Sequence, residues 1–249
     1  MPNEPKSPQD LIAGPTAQSK RDDLYPDLAR DGGLVNALQL AMRSLSSPLA
    51  VTGRGMARVG MNCRFSQVGN AVEERLFLCD FWDQGVMLAL ARTPDLLQVA
   101  RSIHAWVQEK ANTSQLRESF PFATCEPIAE SFEKDMEVEW KWESLEESAR
   151  THRDMATLLP LILTARRTKK VRRLFPFTSL SNLCLSRCTG YPYSGDCPYA
   201  APTGDSQYKV FDTLGKVIGR GDAESAVQLL VDHLPPNCGP ATKGTADDL

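Results

Sequence analysis

Residues 74–110, ERLFLCDFWDQGVMLALARTPDLLQVARSIHAWVQEK, decide the fold class. Residues 74–82 and 86–92 are rich in apolar side chains and flank the turn sequence DQG, which predicts a β-hairpin. The run Thr93-Pro94-Asp95 then supplies an N-cap candidate, a proline at the first helical position and an acid in the first turn. Five apolar residues follow at helical spacing: Leu96, Val99, Ala100, Ile103 and Trp106. A hairpin followed by a helix is therefore predicted.

The same order of elements is predicted near the C-terminus, in QYKVFDTLGKVIGRGDAESAVQLLVDHLP at 207–235. Residues 207–212 and 216–218 flank a TLG turn, and Asp222 is placed as the N-cap of a helix that ends at Pro235. Its apolar stripe consists of Val227, Leu230, Val231 and Leu234. The fold class predicted from both segments is α+β, with two antiparallel ββα-type units and a helical segment between them. The two sequences do not establish a duplication.

Four regions are predicted along the chain. Residues 1–22 are rich in Pro, Ser, Lys, Asp and Gln and are expected to form a disordered lead-in. Residues 23–115 form an N-terminal α+β part, with strands near 49–52 and 57–64. Residues 116–173 form a helical connecting region, and residues 174–249 form a C-terminal ββα-type part with an aromatic loop.

Composition excludes some classes of function. The 249 residues are 42% hydrophobic and 24% charged with a formal net charge of -3, which is ordinary for a globular protein and does not favour nucleic acid as a partner. The basic run from Arg166 to Arg173 is interpreted as the solvated end of a helix rather than a phosphate or nucleic-acid patch. The N-terminal residues resemble no signal peptide and no stretch is long enough to span a membrane, so we expect a cytoplasmic protein. Seven cysteines in such a chain favour reduced thiols.

A cluster of cysteines at 182–204, NLCLSRCTGYPYSGDCPYAAPTG, raises the question of a metal site. Cys184, Cys188 and Cys197 have no second knuckle and no neighbouring histidine, as a structural zinc site would need. If NLCLSR is a strand, Cys184 and Cys188 lie about 13 Å apart at roughly 3.3 Å per residue. We therefore predict no metal. The absence of a P-loop, a G-x-G-x-x-G motif and a G-x-S-x-G elbow predicts no nucleotide cofactor and indicates no catalytic residues.

The same stretch carries the candidate ligand-binding residues. Amphipathic tyrosine rings, an arginine and an acid stand close together between rigid prolines, and such a loop can line a ligand pocket or a protein interface. It can equally cover the edge of a sheet, and both interpretations stay open. The candidates are Arg187, Tyr191, Tyr193, Asp196 and Tyr199.

Several stretches resemble an uncharacterised actinobacterial family that is loosely labelled as natural-product biosynthesis proteins. They are TPDLLQVARSIHAWV at 93–107, LFPFTSLSNLCLSRCTGYPYSGDCPY at 174–199 and the block from Gly221 to Leu249. The family pattern in the loop is SR-x-TGYP followed by an acid and a proline. It falls on Ser186, Arg187, Thr189, Gly190, Tyr191, Pro192, Asp196 and Pro198. No catalytic residue is established for that family, so none is carried over.

Two functions follow as hypotheses. The resemblance implies a cytoplasmic protein of bacterial secondary metabolism that binds a small molecule, and that could be a tailoring enzyme without metal or nucleotide. The alternative is a non-enzymatic immunity or adaptor protein whose partner is another protein. Fold class alone does not choose between them, and the sequence leaves open whether the protein is an enzyme.

Overall fold

The computed structural model describes residues 22–61 and 63–249, which form two antiparallel sheets of six and five strands with helices. The predicted α+β class is confirmed. The predicted lead-in at 1–22 lies outside the described residues except for Asp22. By its internal contacts the chain divides into two compact units. The first contains the described residues up to Phe81 and Ala89–Cys125, and the second contains Trp82–Leu88 and Glu126–Leu249.

The six-stranded sheet is a meander in which the strands lie side by side in sequence order. Helices precede it, and two more lie between its fifth and sixth strands. The elements are α1 (Pro26–Arg30), α2 (Leu34–Ser44), β1 (Val51–Thr52), β2 (Ala57–Met61), β3 (Arg64–Asn70), β4 (Phe77–Asp83), β5 (Val86–Thr93), α3 (Leu96–Val107), α4 (Thr113–Ser119) and β6 (Ala123–Cys125).

The core of the first unit follows from side-chain alternation on β4. Phe77, Cys79 and Phe81 are fully buried, because successive side chains of a strand point to opposite faces and these three share one face. Helix α3 buries its apolar stripe, and its Trp106 ring meets Phe81 edge to face at 5.8 Å between centroids. Burial of these large rings removes apolar surface from water and so stabilises the unit.

The start of α3 corrects one prediction. The N-cap is Asp95 and not Thr93, because the Asp95 carboxylate accepts the backbone N–H groups of Leu97 at 2.8 Å and Gln98 at 3.2 Å. The Thr93 hydroxyl instead accepts the N–H of Asp95 at 3.3 Å, within the turn that leads to the helix.

Two strands of the six-stranded sheet were not predicted. Strand β3 carries Arg64, Ser66 and Gln67 and is held by its antiparallel register with β2, in which Val59 pairs with Ser66. Strand β6 lies inside the region predicted to be helical, and its three residues pair with β5. Strand β3 pairs with β2, its neighbour in sequence, whereas β6 pairs with the more distant β5, and neither strand has a clear apolar alternation of its own.

The second unit consists of helices followed by a five-stranded meander in the order β11-β10-β9-β8-β7. The helical elements are α5 (Ala129–Glu133), α6 (Glu137–Thr151), a 3-10 turn (Ala156–Leu158), α7 (Leu159–Arg167) and a second 3-10 turn (Val171–Arg173). The remaining elements are β7 (Phe175–Ser179), β8 (Asn182–Ser186), β9 (Tyr199–Gly204), β10 (Gln207–Phe211), β11 (Val217–Gly221), α8 (Ala223–Asp232) and a final 3-10 turn (Ala246–Asp248).

Helices and sheet of the second unit share one hydrophobic core. Leu183, Leu185, Ala200, Tyr208 and Val210 face inward from β8, β9 and β10 and pack among buried residues of α6, α7 and α8. The polar tips of the large rings are satisfied, since Trp142 Nε1 donates to the Leu174 carbonyl at 3.1 Å and the Tyr208 hydroxyl donates to the Thr157 carbonyl at 2.9 Å. The predicted N-cap Asp222 is confirmed, because its carboxylate accepts the Ser225 N–H at 2.9 Å.

Candidate functional site

Residues 187–198, here called the β8–β9 connection, are organised around the buried hydroxyl of Ser186. This Oγ donates to the Cys188 carbonyl at 2.7 Å and accepts the backbone N–H groups of Cys188 and Ser194, each at 3.1 Å. The Ser194 hydroxyl accepts the Arg187 N–H at 2.8 Å in return. The connection contains a cis peptide bond between Tyr191 and Pro192. These backbone groups of the connection therefore already have hydrogen-bond partners within the protein.

A second set of backbone hydrogen bonds joins the connection to residues 242–246. Thr242 N–H donates to the Arg187 carbonyl at 2.9 Å, and Thr189 N–H donates to the Thr242 carbonyl at 3.1 Å. Ala246 N–H donates to the Pro192 carbonyl at 2.8 Å. Residues 242–246 thus run alongside the connection and are joined to it by backbone hydrogen bonds, as a neighbouring strand would be.

Gly190 shows how closely these segments approach one another. A Cβ atom at this position would lie 1.9 Å from the Gln84 carbonyl oxygen and 2.8 Å from the Gly244 carbonyl oxygen. Both neighbours are backbone atoms, which cannot swing away as a side chain could. Glycine is required here by packing.

The five predicted ligand-binding residues fall into separate sets of contacts. Arg187 and Asp196 bind each other, with Nε and Nη2 both 2.7 Å from Oδ2. Tyr193 stacks on Phe177 of β7 at 4.4 Å between centroids, and burial raises the pKa of its hydroxyl. Tyr191 meets the edge of Tyr193 at 5.9 Å and is 67% exposed.

Tyr199, the fifth candidate, stands on β9 opposite Phe211 of β10 and stacks on it at 4.9 Å. The structure therefore pairs Arg187 with Asp196 and Tyr191 with Tyr193, whereas Tyr199 packs on a different aromatic residue. Three of the cavities formed by residues 22–61 and 63–249 have volumes of about 490 to 540 Å³, and none of these three is lined by any of the five. The geometry of these residues is that of packing on the sheet.

The cysteines of this region have separate surroundings. Cys184 is half-buried on β8, where burial raises its pKa to about 11. Cys188 is buried beyond the end of that strand, 3.3 Å from Ser186 Oγ. Cys197 lies in the core beside Cys238. Among residues 22–61 and 63–249, no group of three or more His, Cys, Asp or Glu side chains is placed to hold a metal ion.

A different set of charged side chains does line a cavity. The groove between α6, α7 and the 3-10 turn after α7 has a volume of about 520 Å³ and is here called the arginine groove. Its lining residues are Glu146, Arg150, Leu163, Arg166, Arg167 and Arg172. Four arginines and one glutamate thus line an open groove whose volume lies in the range of small-molecule sites, on the order of 300–1,000 Å³.

Arg166, one of the residues that line this groove, is held by three carboxylates of α6. Its Nη1 lies 2.8 Å from Glu146, and its Nη2 lies 2.7 Å from Glu139 and 2.9 Å from Glu143. These hydrogen bonds raise the pKa of Arg166 further above its ordinary value, so the guanidinium is charged at every physiological pH.

Glu146 is held by two arginines at once. Arg150 Nη2 lies 2.7 Å from its Oε1, and the hydrogen bonds from Arg150 and Arg166 lower the pKa of the carboxyl. The Glu146 side chain is 19% exposed, so its carboxylate is partly shielded from water by the two arginines.

Arg167 and Arg172 differ from the two paired arginines of the groove. Both are exposed, and neither forms an ion pair with any residue of the described chain. Their guanidinium groups keep all five N–H donors for another partner. The arginine groove therefore contains two arginines that are held by carboxylates, Arg150 and Arg166, and two that form no ion pair among the described residues, Arg167 and Arg172.

The sequence noted the basic run but missed the groove. The signal was present in α6, where Glu139, Glu143, Glu146 and Arg150 are spaced by four, three and four residues and so share one face. The sequence alone does not show that α7 packs along that same face of α6.

Comparison with known proteins gives one match. Residues 136–245 match DUF6193, a family of unknown function. The DUF6193 segment contains both the arginine groove and the β8–β9 connection. No curated protein and no solved structure matches the chain. In the part of the chain that the structure describes, no helix has the length and apolar character needed to cross a membrane.

Proposed function

We propose that the protein binds a small anionic molecule in the arginine groove of its second unit. The observation that carries this proposal is the pair Arg167 and Arg172, exposed on a groove of about 520 Å³ and without ion-pair partners among the described residues. Phosphoryl and carboxylate groups match the planar fork of an arginine, which can donate two parallel hydrogen bonds to them.

The other lining residues have complementary roles. Arg166 is positioned by three carboxylates, so it presents its remaining donors without losing side-chain freedom when a ligand binds. Leu163 supplies apolar surface for the uncharged part of a ligand. Glu146 would repel a ligand group placed beside it, which favours binding at the Arg167 and Arg172 side of the groove.

A purely structural role for these arginines would involve the helix dipole. Arg166 and Arg167 lie in the last turn of α7, where cations stabilise the C-terminus. Arg172 lies in the 3-10 segment beyond it, which has only three residues and therefore a small dipole. The exposure of Arg172 on the groove without an ion-pair partner among the described residues is what favours a ligand.

Isothermal titration calorimetry at low salt tests the proposal, with inorganic pyrophosphate and citrate as separate probes for phosphoryl and carboxylate ligands. We expect at least one probe to bind, with an affinity that falls as salt screens the charges. The double variant Arg167→Ala/Arg172→Ala should weaken binding at least tenfold, equivalent to about 1.4 kcal/mol.

Arg117→Ala is the matched control, because Arg117 is also an exposed arginine in the last turn of a helix, α4. It should leave the affinity unchanged. Absence of binding by both probes, or equal loss in the control, would contradict the proposal.

The role in natural-product biosynthesis is implied by the sequence resemblance and stays a prediction. A small anionic ligand is compatible with it, since metabolic intermediates commonly carry carboxylates or phosphates. The alternative of an immunity or adaptor protein also stays a prediction. Retention of a stoichiometric protein partner by a variant that has lost pyrophosphate and citrate binding would favour it.

A further inference from the structure

Positive charge is concentrated at the end of α7 and in the turn beyond it. Residues 155–195 include seven Lys and Arg residues and no Asp or Glu, although the whole chain has a formal net charge of -3. Five of these cations are exposed and form no ion pair within residues 22–61 and 63–249. They are Arg167, Lys169, Lys170, Arg172 and Arg173.

The backbone that carries these cations is held in a single turn. The Arg172 N–H donates to the Thr168 carbonyl at 2.9 Å, and the side chain of Val171 is fully buried. The Arg173 carbonyl accepts the Ala241 N–H at 2.8 Å, which fixes the end of the turn. The positions of these cations along the surface are therefore set by the backbone and the core.

Two lysines lie beside the arginine groove without lining it. Lys169 and Lys170 stand in the turn between Arg167 and Arg172, which do line the groove. Because one helical turn rises by only about 5.4 Å, the backbone of both lysines is close to that of the two arginines. The lysines thus extend the positive surface from the groove onto the adjoining turn.

The uniform sign of these charges favours a ligand with several negative charges. Lys169 and Arg172 are three residues apart, as are Lys170 and Arg173, and like charges at this spacing repel one another across a helical turn. A surface that serves solubility alone carries both signs interspersed. An anion that contacts several of these side chains at once would relieve their repulsion.

We propose that the ligand of the arginine groove is a polyphosphate chain, whose first two phosphoryl groups bind beside Arg167 and Arg172 and whose third binds at Lys169 and Lys170. This inference rests on the proposed function of the groove. A terminal phosphoryl group carries about 1.5–2 negative charges at neutral pH and offers three acceptor oxygens. Arginine binds such a group with two parallel hydrogen bonds, and lysine binds it as a point charge. The two lysines should therefore make the affinity depend on chain length.

Isothermal titration calorimetry of the full chain at low salt, without divalent cations, tests this dependence. The probes are orthophosphate, pyrophosphate, tripolyphosphate and citrate. We expect tripolyphosphate to bind at least about tenfold more tightly than pyrophosphate. Pyrophosphate should bind more tightly than citrate, which has a similar charge at neutral pH but carries it on carboxylates.

The double variant Lys169→Gln/Lys170→Gln should lose this gain from the third phosphoryl group. Its affinity for tripolyphosphate should fall about tenfold, whereas its affinity for pyrophosphate should change by less than about twofold. Lys209→Gln/Lys216→Gln is the matched control, because it removes the same charge from two exposed lysines of β10 and of the turn before β11. The control should keep the wild-type affinity for both probes.

The outcomes separate this inference from the proposed function. Equal affinity of the wild type for pyrophosphate and tripolyphosphate, or an equal loss of tripolyphosphate binding in the control, would overturn the polyphosphate assignment while the groove still binds smaller anions. Absence of binding by all four probes would overturn the proposed function itself. The chain-length series on the wild type requires no substitution, so it does not depend on whether a variant folds.

A polyphosphate chain occurs both free and as part of a nucleotide, and ATP distinguishes these sources. Tighter binding of ATP than of tripolyphosphate would assign the chain to a nucleotide, and equal or weaker binding would assign it to the free chain. Under the proposal, Lys169→Gln/Lys170→Gln weakens the binding of both. Binding of ATP and tripolyphosphate that is unaffected by this variant would overturn it.

Discussion

The Ser186 hydroxyl accepts the backbone N–H of Ser194 at 3.1 Å from a fully buried position. The same oxygen binds the N–H and the carbonyl of Cys188. One side chain therefore satisfies three backbone groups at the point where β8 ends and the β8–β9 connection begins.

Replacement of Ser186 by alanine should destabilise the protein by about 2–3 kcal/mol, because buried backbone donors would lose their acceptor. Urea unfolding followed by circular dichroism measures the loss. Ser179→Ala, on the exposed end of β7 in the same sheet, should change the free energy of unfolding by less than about 0.5 kcal/mol. Equal effects of the two substitutions would contradict the role given to Ser186.

Gly190→Ala should be among the most damaging single substitutions in the second unit. The added Cβ would overlap the Gln84 carbonyl oxygen, so the backbone must move, and we expect a loss of about 3 kcal/mol or more. Gly195→Ala, in the same connection, is the control because a Cβ there meets nothing within 4 Å. The two melting temperatures, compared by differential scanning calorimetry, should differ by several degrees, with Gly195→Ala close to wild type.

The Arg187 and Asp196 pair should contribute only modestly to stability. Its side chains are 32% and 40% exposed, and solvent screens such pairs. A double-mutant cycle with Arg187→Ala and Asp196→Ala should give a coupling energy of about 0.5–1 kcal/mol by urea unfolding. A ligand-binding role for the pair would instead appear as a large loss of affinity with little change in stability.

Stability below pH 4.5 should depend on Glu146. Hydrogen bonds from Arg150 and Arg166 lower the pKa of its carboxyl from 4.5, so folding is stabilised above that pH and the contribution is lost as the pH falls through the lowered value. The urea midpoint of Glu146→Gln should therefore decrease less between pH 6 and pH 3 than that of the wild type. Glu147→Gln, at an exposed neighbouring position, should follow the wild-type pH profile.

The sequence predicted elements whose signals are local. The DQG turn and the apolar runs around it indicated the strands that became β4 and β5, and Asp222 was identified as a cap because its signal lies within one helical turn. Strands β3 and β6 were missed because Ser66 and Thr124 have no strand pattern of their own and depend on neighbours across the sheet.

The candidate site was harder to predict for a related reason. Tyrosines, an arginine and an acid between prolines suggested a loop that either binds a ligand or partner or covers the sheet edge. The contacts of the loop could not be predicted, because the partners of Gly190 and Tyr193 are Gln84, Gly244 and Phe177, which are distant in sequence. The arginine groove likewise requires α6 and α7 to lie side by side. The residue types indicated which side chains could bind a ligand. Only the tertiary structure shows which of these side chains already bind one another.

Residues 242–246 lie along the β8–β9 connection, and Thr242 reaches Arg187 across 55 residues of chain. During synthesis on the ribosome, β8 and the start of the connection therefore emerge well before the segment that completes their hydrogen bonds. Until Thr242 leaves the exit tunnel, the carbonyl of Arg187 and the N–H of Thr189 have only water as a partner. The β8–β9 connection of the second unit is thus completed only by residues that are synthesised later. In the interval before they emerge, the nascent chain is most exposed to misfolding and to chaperones.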